Sequence, residues 1–380
     1  MGTMITRRNL LRSAALAGAT LPFVRLNGVL EQWRREEYAS IPNASGHPVV
    51  RLSHNENPFG PSDKARKALI EAIQKGNRYP RESQLDLKKK IAEYEGLETD
   101  QILLSAGSTE LLGVAGLMAG IEKGRVIGCH PTFSFLLAYA SQFAAEWVKV
   151  PMTNDHHYNL AGINEQLNSN TRLVFICNPN NPTGTELPRS VLEPFCSVVS
   201  QRCMVYVDEA YIELAQQGRS SSLAHLTSTN PNIIVARTFS KIYGMAGLRI
   251  GYSIAHTDTI KKLEELMMSG NISTSATSLA AAMASIGDED FISYCRQMNA
   301  QTREMISTKF ASWGVEYIPS STNFIFFKTD RFGSRDLLQS LQAKNIMIRT
   351  YGDVPGWARV SMGTVDETKT FLSATEELLV

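Results

Sequence analysis

Lys241 and Arg249 stand eight residues apart in "TFSKIYGMAGLRIGY", a run that is otherwise apolar, hydroxylated or glycine-punctuated and holds no acid. A buried ammonium without a partner is costly, so this lysine either reaches solvent or sits in a site that uses its amine. Burial and a nearby cation both disfavour the ammonium form, which suits a nucleophilic amine. Thr238 and Ser240 add hydroxyls where the apolar run gives way to a loop. With the glycine turn and Arg249 they make an anion pocket fitted to a phosphate. A nucleophilic lysine beside a phosphate pocket points to a carbonyl cofactor that carries its own phosphate, pyridoxal phosphate.

Such a cofactor makes further demands. Its pyridine nitrogen needs a carboxylate partner to stay protonated, and Asp208 closes the apolar run "CMVYV". Its ring hydroxyl needs polar neighbours, which "NPNNPTG" and "DEAY" offer as Asn181 and Tyr211. "SAGSTE" places a tight turn, with Ser108 and Thr109, before a helix whose free N–H groups favour an anion.

The elements that must position these groups follow from the apolar pattern. From about residue 100, "QILLSAGS", "RVIGCHP", "AAEWVKVP", "TRLVFIC", "CMVYVDEAY", "NIIVARTFS" and "GLRIGYSIA" read as strands. Several are apolar on successive residues, as strands covered on both faces are. They alternate with helical segments, so the expected class is α/β with a mostly parallel sheet. Ligands of such sheets collect at the carboxyl ends of the strands, where "SAGSTE", "NPNNPTG", "DEAY" and "TFSK" fall. Ahead of the sheet, Asp63–Lys75 shows helical spacing closed by Gly76, and "QLDLKKKIAEYEG" repeats the pattern. Beyond about residue 258, long helical patterns lead to a second αβ texture with "NFIFFK", "IMIRTY" and "ARVSMGT" as strands. The expected organisation is a leader (1–28), a segment packing with the small domain (29–72), a large cofactor domain (73–262) and a small domain (263–380).

"NPNNPTG", "VDEAY" and "TFSKIYGMAGLRIGY", in this order, resemble the fold-type I pyridoxal-phosphate aminotransferases of class I/II. "NENP" and "RYP" near the start resemble the histidinol-phosphate aminotransferase-like branch, and the resemblance spans roughly residues 48–380. It implies a large domain with a mostly parallel central sheet, a smaller αβ domain, and a homodimer with shared sites. It implies that Lys241 links to the cofactor aldehyde and moves the substrate proton. Asp208 then pairs with the ring nitrogen, Asn181 and Tyr211 with the ring hydroxyl, and Ser108, Thr109, Thr238, Ser240 and Arg249 with the phosphate. Tyr79 is similar to the tyrosine that reaches the neighbouring subunit's phosphate, and Phe133 to the aromatic that stacks on the ring. Arg359, Arg349 and Asn55 resemble substrate contacts. Thr109 stands where these proteins often carry an acid, and Phe133 where tyrosine is common; both loosen the substrate assignment. The implied activity exchanges an amino group between an amino acid, or a histidinol-phosphate-like amine, and a 2-oxo acid. A carbon–sulfur β-lyase or amino-acid decarboxylase of the same fold shares the site and is the alternative.

The 38 Lys+Arg and 37 Asp+Glu residues give a formal net charge of +1, which offers no footprint for nucleic acid. The five cysteines lack metal or CxxC spacing, so no metal is expected, although Cys196 and Cys203 could pair in an oxidising compartment. His156–His157 lies in a polar loop without a partner at metal spacing. The first residues differ in kind: Arg7 and Arg8 precede a short Ala/Leu/Gly-rich run, too short to span a bilayer. This resembles a twin-arginine export signal and implies a periplasmic or exported protein, with the cytoplasm as the alternative.

Overall fold

In the computed structural model, which describes residues 49–267, 273–329 and 333–379, every one of these apolar runs becomes a strand. The leader with Arg7 and Arg8, and the chain up to residue 48, lie outside the described residues. Val50–Arg51 (β1) is followed by Ile102–Ser105 (β2), Gly124–His130 (β3), Ala145–Pro151 (β4), Thr171–Cys177 (β5), Met204–Asp208 (β6), Ile233–Thr238 (β7) and Gly251–Ala255 (β8). Strands β2 to β8 form one seven-stranded sheet in the order β2-β8-β7-β6-β5-β3-β4. Only β8 runs against the others, pairing antiparallel with β7 and β2. Val174, Phe175 and Ile176 of β5 and Ile233 to Ala236 of β7 are all fully buried, as a sheet covered on both faces requires.

The strand ends carry the site. Ser105, Cys177, Asp208 and Thr238 are the last residues of β2, β5, β6 and β7, so the polar clusters emerge along one edge. Reversal of β8 brings its first residue, Gly251, between Ser105 and Thr238 in register. The Asp63–Ala72 helix starts on Ser62, whose Oγ accepts the Ala65 N–H, and tightens into a 3₁₀ turn over Ile73–Lys75. The Arg81–Glu95 helix ends at Gly96.

The C-terminal part supplies Tyr317–Ile318 (β9), Phe324–Lys328 (β10), Ile346–Met347 (β11), Arg349–Thr350 (β12) and Trp357–Ser361 (β13). Four of these form a sheet in the order β12-β13-β10-β9, while β11 pairs parallel with β1. A second hydrophobic core forms here, with Leu52, Phe310, Phe327 and Phe371 fully buried. The Glu289–Ser312 helix serves both cores, giving Ile292 and Cys295 to the larger and Ile306 and Phe310 to the smaller. The five cysteines are separate buried thiols.

Behind the site edge lies a buried ionic cluster. Arg237 of β7, only 1% exposed, donates through Nε to Glu209 at 2.7 Å. Its Nη1 lies 3.8 Å from Glu95 and 3.6 Å from Glu213. Arg219 bonds Glu95 at 3.0 Å and lies 3.4 Å over the Tyr94 ring, while the Tyr252 hydroxyl donates to Glu95 at 2.8 Å. Three buried carboxylates thus share two guanidiniums, and burial pushes Glu213 up to about 7 despite Arg237. A carboxyl raised in the fold contributes stability that is intact below its ordinary value of 4.5 and is lost as pH rises through about 7. Glu213→Gln should abolish that loss: chemical denaturation at pH 5 and pH 8 should show the variant gaining on the unaltered protein as pH rises. The gain should be on the order of 3 kcal/mol. An identical pH slope in both proteins would refute the assignment.

Candidate active site

Lys241 lies three residues past the end of β7 and is half-buried. Its Nζ donates to the main-chain carbonyl of Asn55 at 3.2 Å and weakly to that of His54 at 3.4 Å, and it lies 5.5 Å from the Tyr211 ring centre. Burial, reinforced by the Arg359 guanidinium, brings the amine down to about 8, while Glu56 and Asp208 oppose the shift. Asp208 is 2% exposed, and its Oδ1 accepts the Ala210 N–H at 3.1 Å. Burial pushes this acid up to about 6, against the pull of that N–H and of Lys241. An acid moved up and an amine moved down, each within the other's electrostatic reach, are both brought near neutral pH.

Around this pair the polar groups interlock. Tyr211, buried, accepts the Asn55 Nδ2–H at 2.9 Å, and burial holds its phenol well above the usual range. Arg359, buried in β13, donates to Asn181 Oδ1 at 2.6 Å and to the Ser53 carbonyl at 2.7 Å. Its guanidinium lies 5.2 Å from the Phe324 ring and 5.8 Å from that of Tyr351. Since the Asn181 oxygen is engaged, its amide N–H groups are the donors it can turn to a ligand.

The anion pocket is built from bare backbone. Gly107, at φ 83°, precedes the Ser108–Ile121 helix, and a Cβ there would lie 2.3 Å from Arg249 Nη2. A Cβ on Gly251 would meet the Ser108 nitrogen at 2.8 Å. Only glycine lets the guanidinium and the helix start close over the ends of β2 and β7. Arg249, itself left-handed at φ 51°, is anchored by Nη1 donating to the Ala246 carbonyl at 2.8 Å. Thr238 Oγ1 accepts the Ser240 N–H at 3.1 Å and donates to Ser240 Oγ at 2.9 Å. Ser108 and Thr109 open the first turn, and Glu110 accepts the Ala106 N–H at 2.6 Å.

Lys241, Asp208, Tyr211, Asn181, Asn55 and Arg359 therefore converge, with Thr238, Ser240, Ser108, Thr109 and Arg249 forming the anion corner. Three residues lie outside the buried cluster. Tyr79 is 81% exposed and Phe133 37% exposed. Arg349 is exposed, although in β12 it pairs in register with Arg359 and lies 5.9 Å from the same Tyr351 ring. Two further residues carry structure that local spacing did not show. Asn323 Nδ2 donates to the Asn55 carbonyl at 3.0 Å. Ser361 Oγ accepts the Asn55 N–H at 2.8 Å and donates to Asn55 Oδ1 at 2.9 Å. Both lie within or beside strand motifs of the C-terminal sheet, but their partner is some 270 to 310 residues earlier in the chain.

Comparison with known proteins agrees with this geometry. Residues 47–374 match the family "Aminotransferase class I and II". A histidinol-phosphate aminotransferase of Moorella thermoacetica is 35% identical over 87% of this chain and 86% of its own length. Another, from Dechloromonas aromatica, is 36% identical over 87% of this chain and 90% of its own. The crystal structure of the Sinorhizobium meliloti histidinol-phosphate aminotransferase in complex with pyridoxal-5'-phosphate superposes with a TM-score of 0.82 at 26% identity, covering 95% of each chain. The fold and site define a fold-type I aminotransferase, and the chain belongs to the class I and II aminotransferase family. It is a pyridoxal-phosphate-dependent transaminase. The residues fit that cofactor: a buried acid for its ring nitrogen, a depressed amine for its aldehyde, and a guanidinium on bare glycine for its phosphate.

Gly107→Ala should displace Arg249 from the anion corner and strain the turn. We expect the dissociation constant for pyridoxal phosphate to rise about tenfold or more, a loss of ~1.4 kcal/mol or greater, with the fold retained. Equilibrium dialysis measures it, and an unchanged constant would remove Gly107 from the pocket.

Proposed function

We propose that the amino donor is histidinol phosphate or a closely related phosphorylated amine, with a 2-oxo acid as acceptor. The observation that carries this reading is the arginine pair: Arg359, buried and aimed by Asn181 and Ser53, stands in register with exposed Arg349. Two guanidiniums around one tyrosine ring suit a dianionic phosphate better than a single carboxylate. The names of relatives more than 30% identical over most of the chain support the same substrate.

Pyridoxal phosphate, when bound, supplies an aldehyde that condenses with amines and a ring that withdraws electrons from the substrate Cα. The protein supplies the rest. Arg249, Ser108, Thr109, Thr238 and Ser240 would hold its phosphate, and Asp208 would keep a proton on its ring nitrogen. Asn181 and Tyr211 would orient its ring hydroxyl. Lys241 Nζ, brought down to about 8, accepts the Cα proton as a base and returns it as an acid. Arg359, Arg349 and Asn55 place the substrate so that its Cα–H faces that amine.

We also propose a homodimer in which Tyr79 completes the neighbouring subunit's site. An aromatic ring 81% exposed at the start of a helix is better explained by a partner than by solvent. The Arg7–Arg8 leader is proposed to direct export through the twin-arginine pathway, and fractionation of cells with and without that pathway tests it. Among the described residues no helix is long and apolar enough to cross a membrane.

Lys241→Ala should abolish turnover, and Arg359→Met should raise KM for histidinol phosphate about 100-fold and lower kcat as well, since Arg359 also helps hold the Lys241 amine down. Amino donors compared with 2-oxoglutarate as acceptor should rank histidinol phosphate first. Release of carbon dioxide, or of pyruvate and ammonia, without any 2-oxo acid would replace transamination with decarboxylation or β-elimination.

A further inference from the structure

We propose that Asn323 is a positioning residue for the Lys241 amine, acting through the main-chain carbonyl of Asn55. The proposal rests on the reading of Lys241 as the reactive amine and adds how that amine is aimed. Asn323 lies immediately before β10 and is buried. Its amide nitrogen donates to the Asn55 carbonyl at 3.0 Å and to that of Glu56 at 3.3 Å. Because both partners are carbonyls, the side chain can face them only with its NH₂ end. The Asn55 oxygen also receives the Lys241 amine at 3.2 Å. One carbonyl with two lone pairs therefore carries both donors, and fixing one fixes the direction offered to the other.

That carbonyl is held in an unusual conformation. Asn55 has φ 54°, a left-handed position that asparagine tolerates better than other side chains and that turns its carbonyl out of the extended chain path. Ser361 and Tyr211 secure its N–H and its side chain, but neither touches the carbonyl. Asn323 does, and its own carbonyl is in turn tied to the Met362 N–H at 2.8 Å. A lysine has four rotatable side-chain bonds, so an amine without fixed acceptors samples many positions. Asn323 removes that freedom through the carbonyl it shares with the amine.

The test is made on the cofactor-free protein by trace labelling with acetic anhydride across pH, reading modification of Lys241 by mass spectrometry. The unaltered protein should show a midpoint at about 8. In Asn323→Leu, similar in size but without a donor, the loosened carbonyl should admit water around the amine. The midpoint should then move up toward the ordinary lysine value of about 10.4. With cofactor restored, kcat should fall about tenfold while KM for the amino donor changes less than about twofold, the pattern of a residue that binds no substrate. Asn323→Ala, where water can replace the amide, should shift the midpoint in the same direction by less. An unchanged midpoint in either folded variant would overturn the proposal. So would a crystal structure of the unaltered, cofactor-free protein with Lys241 Nζ away from the Asn55 carbonyl. Borohydride reduction of the unaltered holoenzyme separates this from failure of the underlying reading: a cofactor label on any residue but Lys241 refutes the site itself.

Discussion

An amine and a carboxyl group, half-buried Lys241 and buried Asp208, sit at one sheet edge, and burial moves them in opposite directions, to about 8 and about 6. Taking either charge out of water is unfavourable by several kcal/mol unless hydrogen bonds and opposite charge offset it. The surrounding architecture answers that demand. Two carbonyls accept from the amine, a turn N–H donates to the acid, and the parallel strands end where both groups are needed. A site assembled on open loops would leave both groups near their solution values, the amine protonated and poor as a nucleophile. Burial is thus the means by which the fold makes the chemistry available near neutral pH.

The turn after β6 shows how one short segment serves two environments. In "DEAYIEL", Asp208 and Tyr211 belong to the site, whereas Glu209 and Glu213 face Arg237 behind it. The tight bond from Arg237 to Glu209 holds the residue that follows Asp208. The excess of carboxylates over guanidiniums shows at Glu213, which burial raises, whereas Glu95, bonded to Arg219 and Tyr252, is held below its usual range by the two arginines. Rigidity behind the site and polarity within it therefore come from alternate residues of the same turn.

What the sequence makes legible follows from the range of the interactions. The strands were readable because sheet burial on both faces leaves runs such as "RLVFIC" and "NIIVA" apolar on successive residues. The convergence of Lys241, Asp208, Asn181 and Tyr211 was readable because parallel strands put their carboxyl ends on one edge. Reversal of β8 was not, since "GLRIGYSIA" has the same apolar character in either direction. Asn323 and Ser361 were not, because their meaning depends on contact with Asn55 across most of the chain. The exposure of Tyr79 and Phe133 could not be read either, for an aromatic residue's pattern does not say whether its own chain covers it.

The segment Ser53–Asn57 joins these threads. Ser53 accepts from Arg359, Asn55 engages Ser361, Tyr211, Asn323 and Lys241, and Asn57 donates to the Ile242 carbonyl at 2.7 Å, one residue past the lysine. Groups from β13, from the residue before β10 and from the loop after β7 thus meet on five consecutive residues. The C-terminal sheet and the lysine loop are therefore both tied to this segment. Ser53, which accepts from Arg359, stands two residues from the carbonyl that accepts from Lys241, so the arginine and the amine are anchored on one short segment.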